Sequence, residues 1–249
     1  MGTLEGRVAL ITGAGQGSGR GLALALAAQG ASIAVVGRTE SKLHLVADEV
    51  RDRGVPSIVE RCDVSDAAQI DATVDAVVGA FGRIDILVNA AHHNVRAGKL
   101  LEMRSTDIEL LWKTGPLAAL HFMRRCYPHL RGGGSIVNFG SATQFEPANY
   151  GVYAAMKDAI RTISRAAAVE WGPDQIRVNV IAPLVESPSA AAQRAERGES
   201  TSNPVATPLG RMGDPEADIG RVAAFLASDD ASYVTGQFIT LDGGFAYHR

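Results

Sequence analysis

Val8-Ala9-Leu10-Ile11-Thr12-Gly13-Ala14-Gly15-Gln16-Gly17-Ser18-Gly19-Arg20-Gly21-Leu22-Ala23-Leu24 reads as a short apolar strand, a glycine-rich turn and the opening of an apolar helix. Glycines let the backbone turn tightly and approach a pyrophosphate, while the unpaired N–H groups at the start of the helix, with the positive end of its dipole, face the anion. The spacing is Gly-x-x-x-Gly-x-Gly rather than the commoner Gly-x-Gly-x-x-Gly. The strand–loop–helix context makes Gly13, Gln16, Gly17, Ser18 and Gly19 candidate phosphate-binding residues.

Further runs rich in β-branched residues follow at Ile33–Val36, Ile58–Val59, Ile84–Val88, Ile136–Val137, Val178–Ile181 and Phe238–Leu241. Helical patterns fall between them, over 17–29, 40–53, 66–82, 105–130, 150–171 and 214–228. This alternation predicts an α/β fold: a doubly wound, seven-stranded parallel sheet with helices on both faces, Rossmann-like, forming a single domain over 1–249. Such sheets bind ligands beyond the carboxyl ends of their strands, near the point where strand order reverses. The stretch 184–213 loses the apolar periodicity and is long for a plain connection, so a substrate lid is expected there, with an inert excursion as the alternative. Its Arg194, Glu196, Arg197 and Glu199 among small residues fit neither a plainly apolar nor a plainly anionic ligand.

Of the 249 residues 46% are hydrophobic and 20% charged, which supports a large core and excludes a disordered or collagen-like chain. With 24 Lys and Arg against 27 Asp and Glu there is no general basic surface, so nucleic acid is not an expected partner. Cys62 and Cys126 make neither a disulfide framework nor a zinc pair and are expected to be buried as small apolar residues in a reducing compartment. The uncharged stretch Gly21 to Gly37 is interrupted by Gln29, Gly30 and Ser32 and falls short of the ~20 apolar residues of a membrane span. The opening Met1-Gly2-Thr3-Leu4-Glu5 carries no secretory pattern, so the expectation is a cytoplasmic protein with a small-molecule ligand and no membrane attachment.

The second strand ends in Gly37-Arg38-Thr39-Glu40. A site that selects NAD presents an acid to the ribose 2′-hydroxyl here. Gly37 cannot repel a 2′-phosphate, and Arg38 can pair with one while stacking on the adenine, so NADP is expected over NAD; a solvated Arg38 beside Glu40 is the alternative. After the third strand comes Cys62-Asp63-Val64, where Asp63 can meet the adenine amino group.

Tyr153-Ala154-Ala155-Met156-Lys157 opens a helix, and the spacing of four puts phenol and ammonium on one face. The pair follows the fifth strand, whose end carries Gly140-Ser141. A neighbouring ammonium and an oxidised nicotinamide stabilise phenolate, which would make Tyr153 an acid–base group. Ser141 would hold the reacting oxygen, and Lys157 would tune the phenol and bind the nicotinamide ribose.

With these residues in place the chain resembles the short-chain dehydrogenase/reductase family over almost its whole length. The family's Thr-Gly-x-x-x-Gly-x-Gly loop matches Thr12 to Gly19, its adenine-site Asp matches Asp63, and its Ser, Tyr and Lys match Ser141, Tyr153 and Lys157. Pro208-Leu209-Gly210-Arg211 and the segment from Thr235 to Gly244 also look like family landmarks. The resemblance implies interconversion of an alcohol and a carbonyl with NAD(P), and commonly a homotetramer built on the fourth and fifth helices, a dimer being the alternative.

The chain departs from the family at four places. Asn89-Ala90-Ala91-His92 replaces Asn-Asn-Ala-Gly and is followed by His93; Asn89 is retained in the cofactor wall, and either histidine reaches the substrate or both are plain loop residues without a metal-ligand set. The interval from Ser141 to Tyr153 is one residue shorter than in many members. Pro183-Leu184 replaces Pro-Gly, with Ser187 where a Thr often contacts the nicotinamide amide. Trp112 replaces the helix Asn whose main-chain carbonyl, in the family, holds a water on a proton path to the Lys. Pro116, four residues on, has no N–H to offer that carbonyl, so Trp112 is expected to keep the water while its indole reshapes the pocket. The expected function is hydride transfer between NADP(H) and a small-molecule carbonyl/alcohol pair. A non-redox or regulatory NADP-binding protein is the alternative, as is imine reduction, dehydration or epimerisation on the same scaffold.

Overall fold

In the computed structural model, which describes residues 2–93, 98–142, 148–185 and 207–246, the run opening at Val8 is a strand buried along its whole length, β1 (Val8–Thr12). It is joined in one parallel sheet by β2 (Ser32–Gly37), β3 (Ser57–Arg61), β4 (Ile86–Asn89), β5 (Ser135–Phe139), β6 (Arg177–Pro183) and β7 (Phe238–Leu241). The strand order is β3-β2-β1-β4-β5-β6-β7, so the winding reverses between β1 and β4. There Ala9 pairs with Ile33 on one side and Ile86 on the other, and the loops leaving β1 and β4 turn to opposite faces, opening a crevice at their carboxyl ends.

Among the described residues the α-helices are α1 (Gly17–Ala28), α2 (Glu40–Arg51), α3 (Ala67–Phe81), α4 (Ser105–Trp112), α5 (Ala118–Leu130), α6 (Gly151–Trp171) and α7 (Arg221–Ala227). Alternate residues of β1 feed two core layers. Ala9 and Ile11 pack with Leu22 and Leu26 of α1, Leu43 and Val46 of α2 and Leu226 of α7. Val8 and Leu10 face the layer that holds Ile70 and Val74 of α3, Phe122 and Met123 of α5, and Ala167 of α6. Burial on both faces is why the strands read as continuous apolar runs. Cys62 and Cys126 are both buried, with free thiols, in this second layer.

Two expected helices are interrupted. The pattern over 105–130 divides at a π turn, Lys113–Leu117, wrapped around Pro116. The pattern over 214–228 opens with a second π turn, Pro215–Gly220, before α7. The second turn lies against α1, where a Cβ on Gly21 would stand 2.4 Å from the carbonyl carbon of Pro215. The residues 186–206 lie outside the described residues, but the ends of the expected lid do not: Val185 forms an isolated parallel bridge with Gly213, whose N–H donates to Leu184 O at 3.1 Å. Among the described residues no helix is long and apolar enough to cross a membrane.

Two glycine-to-alanine changes test the packing. Gly21→Ala forces α1 off the Pro215 turn and is expected to cost about 1–3 kcal/mol. Gly79→Ala, in the exposed face of α3 with nothing within 4 Å of the new methyl, is expected to gain about 0.5–1 kcal/mol. Urea unfolding of the two variants against the parent checks both signs.

Candidate active site

At the end of β1 the backbone of Gly13 takes a left-handed φ of +70°, and a Cβ there would meet Ala91 Cα and N at 2.9 Å, so only glycine fits. Beside it the Thr12 hydroxyl accepts from the N–H groups of Ala90 and Ala91, both at 3.1 Å, and ties the turn after β4 to β1. Gln16 caps α1 with extended backbone and no side-chain bond to the helix N–H groups, leaving the first of these facing the crevice. Gly13, Gln16, Gly17, Ser18 and Gly19 line a cleft of about 230 Å³ that runs past Arg38, Asp63 and Val64 to His92 and His93. An uncapped helix start in a cradle that excludes side chains suits the phosphates of a dinucleotide.

The charges along the cleft differ from end to end. Arg38 is exposed where β2 ends, and Lys42, one turn into α2, donates from Nζ to Gln16 Oε1 at 2.6 Å. Burial pushes the Asp63 carboxyl up, but hydrogen bonds to its Oδ1 from the Ser65 N–H (2.9 Å) and hydroxyl (2.7 Å), with the Arg38 charge nearby, outweigh this and hold it below its ordinary value.

Ser141, Tyr153 and Lys157 come together beyond β5. Tyr153 and Lys157 lie one turn apart on α6, with Lys157 Nζ 5.7 Å from the centre of the Tyr153 ring, and Tyr153 is hydrogen-bonded with Ser141. Lys157 is 2% exposed and donates to Phe139 O at 2.9 Å. The expected depression of the phenol pKa is absent in the protein alone. Burial pushes the Tyr153 phenol up to about 12 against the bond from Ser141, and burial pushes the Lys157 ammonium down to about 7. Desolvation disfavours the charged form of each group, and at the phenol it outweighs the Ser141 hydrogen bond.

Other expected residues are placed differently. Asn89 turns its amide inward, donating to Asn138 Oδ1 at 2.8 Å, and lines a recess of about 10 Å³ beside Lys157 instead of the main cleft. Trp112 is 38% exposed at the end of α4. The π turn that follows pairs each carbonyl with the N–H five residues on, which gives the Trp112 carbonyl the N–H of Leu117 in place of the one Pro116 lacks. The premise of an unpartnered carbonyl at Trp112 therefore does not hold. Ser187 lies outside the described residues. Of the two histidines, His92 packs its ring against Tyr153, with centroids 5.8 Å apart at a tilt of 52°. His93 is anchored by its N–H to the Thr114 hydroxyl at 3.0 Å.

Sequence reasoning missed Lys42, Thr114 and Phe139, which also line the cleft. A basic residue four positions after Arg38, at the start of an expected helix, was a readable signal for Lys42. Thr114 and Phe139 had none, because their roles arise from the π turn and from the burial of Lys157.

A family model described as enoyl-(acyl carrier protein) reductase matches residues 13–246. A 12α-hydroxysteroid dehydrogenase from a Clostridium species is 40% identical, with 98% of each chain covered. The chain belongs to the short-chain dehydrogenase/reductase family. Among solved structures, the L-sorbose reductase of Gluconobacter frateurii, complexed with NADPH and L-sorbose, matches with a TM-score of 0.92 at 30% identity, covering 100% of this chain and 99% of that one. An NAD⁺-bound xylitol dehydrogenase matches with a TM-score of 0.88 at 30% identity, covering 97% and 99%. The protein is thus an oxidoreductase of a fold that binds NAD(P).

The two buried groups give this dehydrogenase/reductase a characteristic pH profile of stability. Lys157, depressed to about 7, is protonated mainly in the unfolded chain between pH 7 and its ordinary value near ~10.4, so stability rises with pH across that window. Tyr153, raised to about 12, keeps its proton in the fold after the unfolded chain has lost it, so its contribution fades as pH rises from ~10 through 12. In urea unfolding of the ligand-free protein, Lys157→Met is expected to exceed the parent in stability most at pH 7 and below, with the gap closing towards pH 10.

Proposed function

We propose that the enzyme transfers a hydride between NADP(H) and a carbonyl/alcohol pair, with Tyr153 exchanging the proton of the substrate oxygen. The observation that carries this reading is the cluster of Ser141, Tyr153 and Lys157 near one end of a cleft whose other end bears Arg38 and Lys42. When bound, the nicotinamide supplies or accepts the hydride. Ser141 orients the substrate oxygen, and the Tyr153 phenol, protonated in the protein alone, gives that oxygen a proton in the reducing direction. Lys157 would hold the nicotinamide ribose; hydrogen bonds donated by its ammonium to the ribose hydroxyl oxygens would offset the desolvation that weakens its charge, and the restored ammonium would lower the phenol.

For the cofactor, Gly13, Gln16, Gly17, Ser18 and Gly19 hold the pyrophosphate at the start of α1. Asp63 would take the adenine amino group and Val64 would adjoin that ring, Asn89 would back the wall from the recess beside Lys157, and the contact to the nicotinamide amide expected of Ser187 falls outside the described residues. NADP is preferred because Gly37 carries no carboxylate while Arg38 and Lys42 offer two cations to a 2′-phosphate. Relatives named for hydroxysteroid, sorbose and xylitol chemistry support alcohol–carbonyl interconversion. The stretch 184–213 serves as the substrate lid of the single domain, and the working form is a homotetramer in the cytoplasm.

Tyr153→Phe is expected to lower kcat/KM on ketone substrates by about 10²–10⁴-fold while the NADPH Kd, from nicotinamide fluorescence, stays within about twofold of the parent. Equal turnover by parent and variant sinks the proton-transfer assignment. Loss of a charge-assisted contact in Arg38→Ala, worth about 1.5–3 kcal/mol, is expected to weaken NADPH about ten- to a hundredfold and leave NADH unchanged. Equal losses for both dinucleotides would reject the 2′-phosphate site.

A further inference from the structure

We propose that His92 is the proton relay of this site, returning a proton from solvent to Tyr153 after each reduction. The inference rests on Tyr153 being the proton donor, as read above, and extends it to a residue that the family pattern leaves as glycine. When Tyr153 protonates the substrate oxygen, the phenol O–H bond breaks, the alcohol O–H bond forms and phenolate remains. A protonated His92 then gives its N–H proton to the phenolate oxygen, and the neutral imidazole takes a proton from water. Hydride and proton together account for the two electrons and two hydrogens gained by the carbonyl.

The geometry favours His92 over the other neighbours of the phenol. Ser141 has one hydroxyl hydrogen and must itself be resupplied. Lys157 is 2% exposed, donates to Phe139 O, and adjoins a recess of about 10 Å³, room for roughly a single water. His92 lies against the Tyr153 ring, 5.8 Å between centroids, and also lines the cleft. An imidazole takes a proton at one ring nitrogen and releases it from the other, and its ordinary pKa near ~6.5 suits exchange with neutral solvent. Thr12, through Ala90 and Ala91, and Thr114, through His93, brace the loop on either side of it.

Among the described residues the ionisable groups around this corner are Lys157 from α6, Tyr150 just before that helix, His93 from the same loop, and Asp107 from α4, which is paired with Arg104. Since Lys157 titrates near 7, a pH limb alone does not separate it from His92, and chemical rescue is the deciding measurement.

The experiment compares the parent, Tyr153→Phe, His92→Gly and His92→Phe. NADPH Kd is read by fluorescence, kcat is measured with and without added imidazole, and the His92 ring is titrated by NMR in the ligand-free protein and in Tyr153→Phe. His92→Gly and His92→Phe are expected to bind NADPH within about twofold of the parent and to lose about 10²-fold in kcat. Imidazole is expected to restore His92→Gly at least about tenfold and His92→Phe not at all, because the phenyl ring fills the space. The His92 titration is expected to move when Tyr153 becomes Phe. Parent-like kcat in His92→Gly, or a loss that imidazole does not restore, overturns the relay. If the parent and Tyr153→Phe turn over alike, the donor assignment itself has failed, and this is read before either His92 variant.

Discussion

Two backbone segments meet where β1 and β4 end, and the contact has no room for a side chain: a Cβ on Gly13 would lie 2.9 Å from Ala91. The strand reversal opens the crevice, but this contact sets its floor. Thr12 reinforces it by accepting two N–H groups that would otherwise be without partners at the end of a strand. The phosphate loop leaves on one side of the junction and the His92 loop on the other, so the position of each constrains the other. A dinucleotide laid across it would touch both in one extended pose, which is how the sheet links a phosphate site to a reacting end.

Burial dominates the electrostatics at that reacting end. Lys157 is enclosed by protein, its ammonium held by one backbone carbonyl, and the phenol beside it sits with Ser141. Both groups are pushed towards neutrality, so the site without ligand holds a protonated phenol, the form that the proposed reduction would use as an acid. Oxidation requires the opposite state. On the proposed mechanism the reverse reaction would depend on positive charge and hydrogen bonds arriving with the ligand, so the two directions need not share one pH dependence.

The architecture was legible because burial on both faces writes itself into the chain as continuous apolar runs, and crossover helices write themselves as longer periodic ones. The expected span 66–82 coincides with the caps of α3, where Asp66 accepts two backbone N–H groups and Gly82 takes a left-handed φ of 76°. The Tyr153–Lys157 spacing and the glycine loop were legible for a similar reason, since each is a local pattern with a local geometric consequence. What escaped were effects of tertiary context. The charge state of Lys157 follows from how much protein covers it, and Asn89 turns inward because Asn138 on the next strand, itself donating to Ser164, offers it a partner. The π turns were hidden because periodicity does not distinguish a four-residue from a five-residue hydrogen-bond repeat over a single turn.

The departures at Trp112, Pro116 and the two histidines form one mechanical unit. Pro116 removes a helical N–H, and the chain responds by widening one turn between α4 and α5. On that turn Thr114 donates its hydroxyl to Leu110 O at 2.7 Å and has its oxygen free to accept the His93 N–H at 3.0 Å. The bond pins the loop after β4 to the helix, and the loop in turn carries the His92 ring against Tyr153. The change at the helix Asn and the imidazole beside the phenol are therefore linked through a short chain of contacts that runs from the π turn through Thr114 and His93 to His92 and Tyr153.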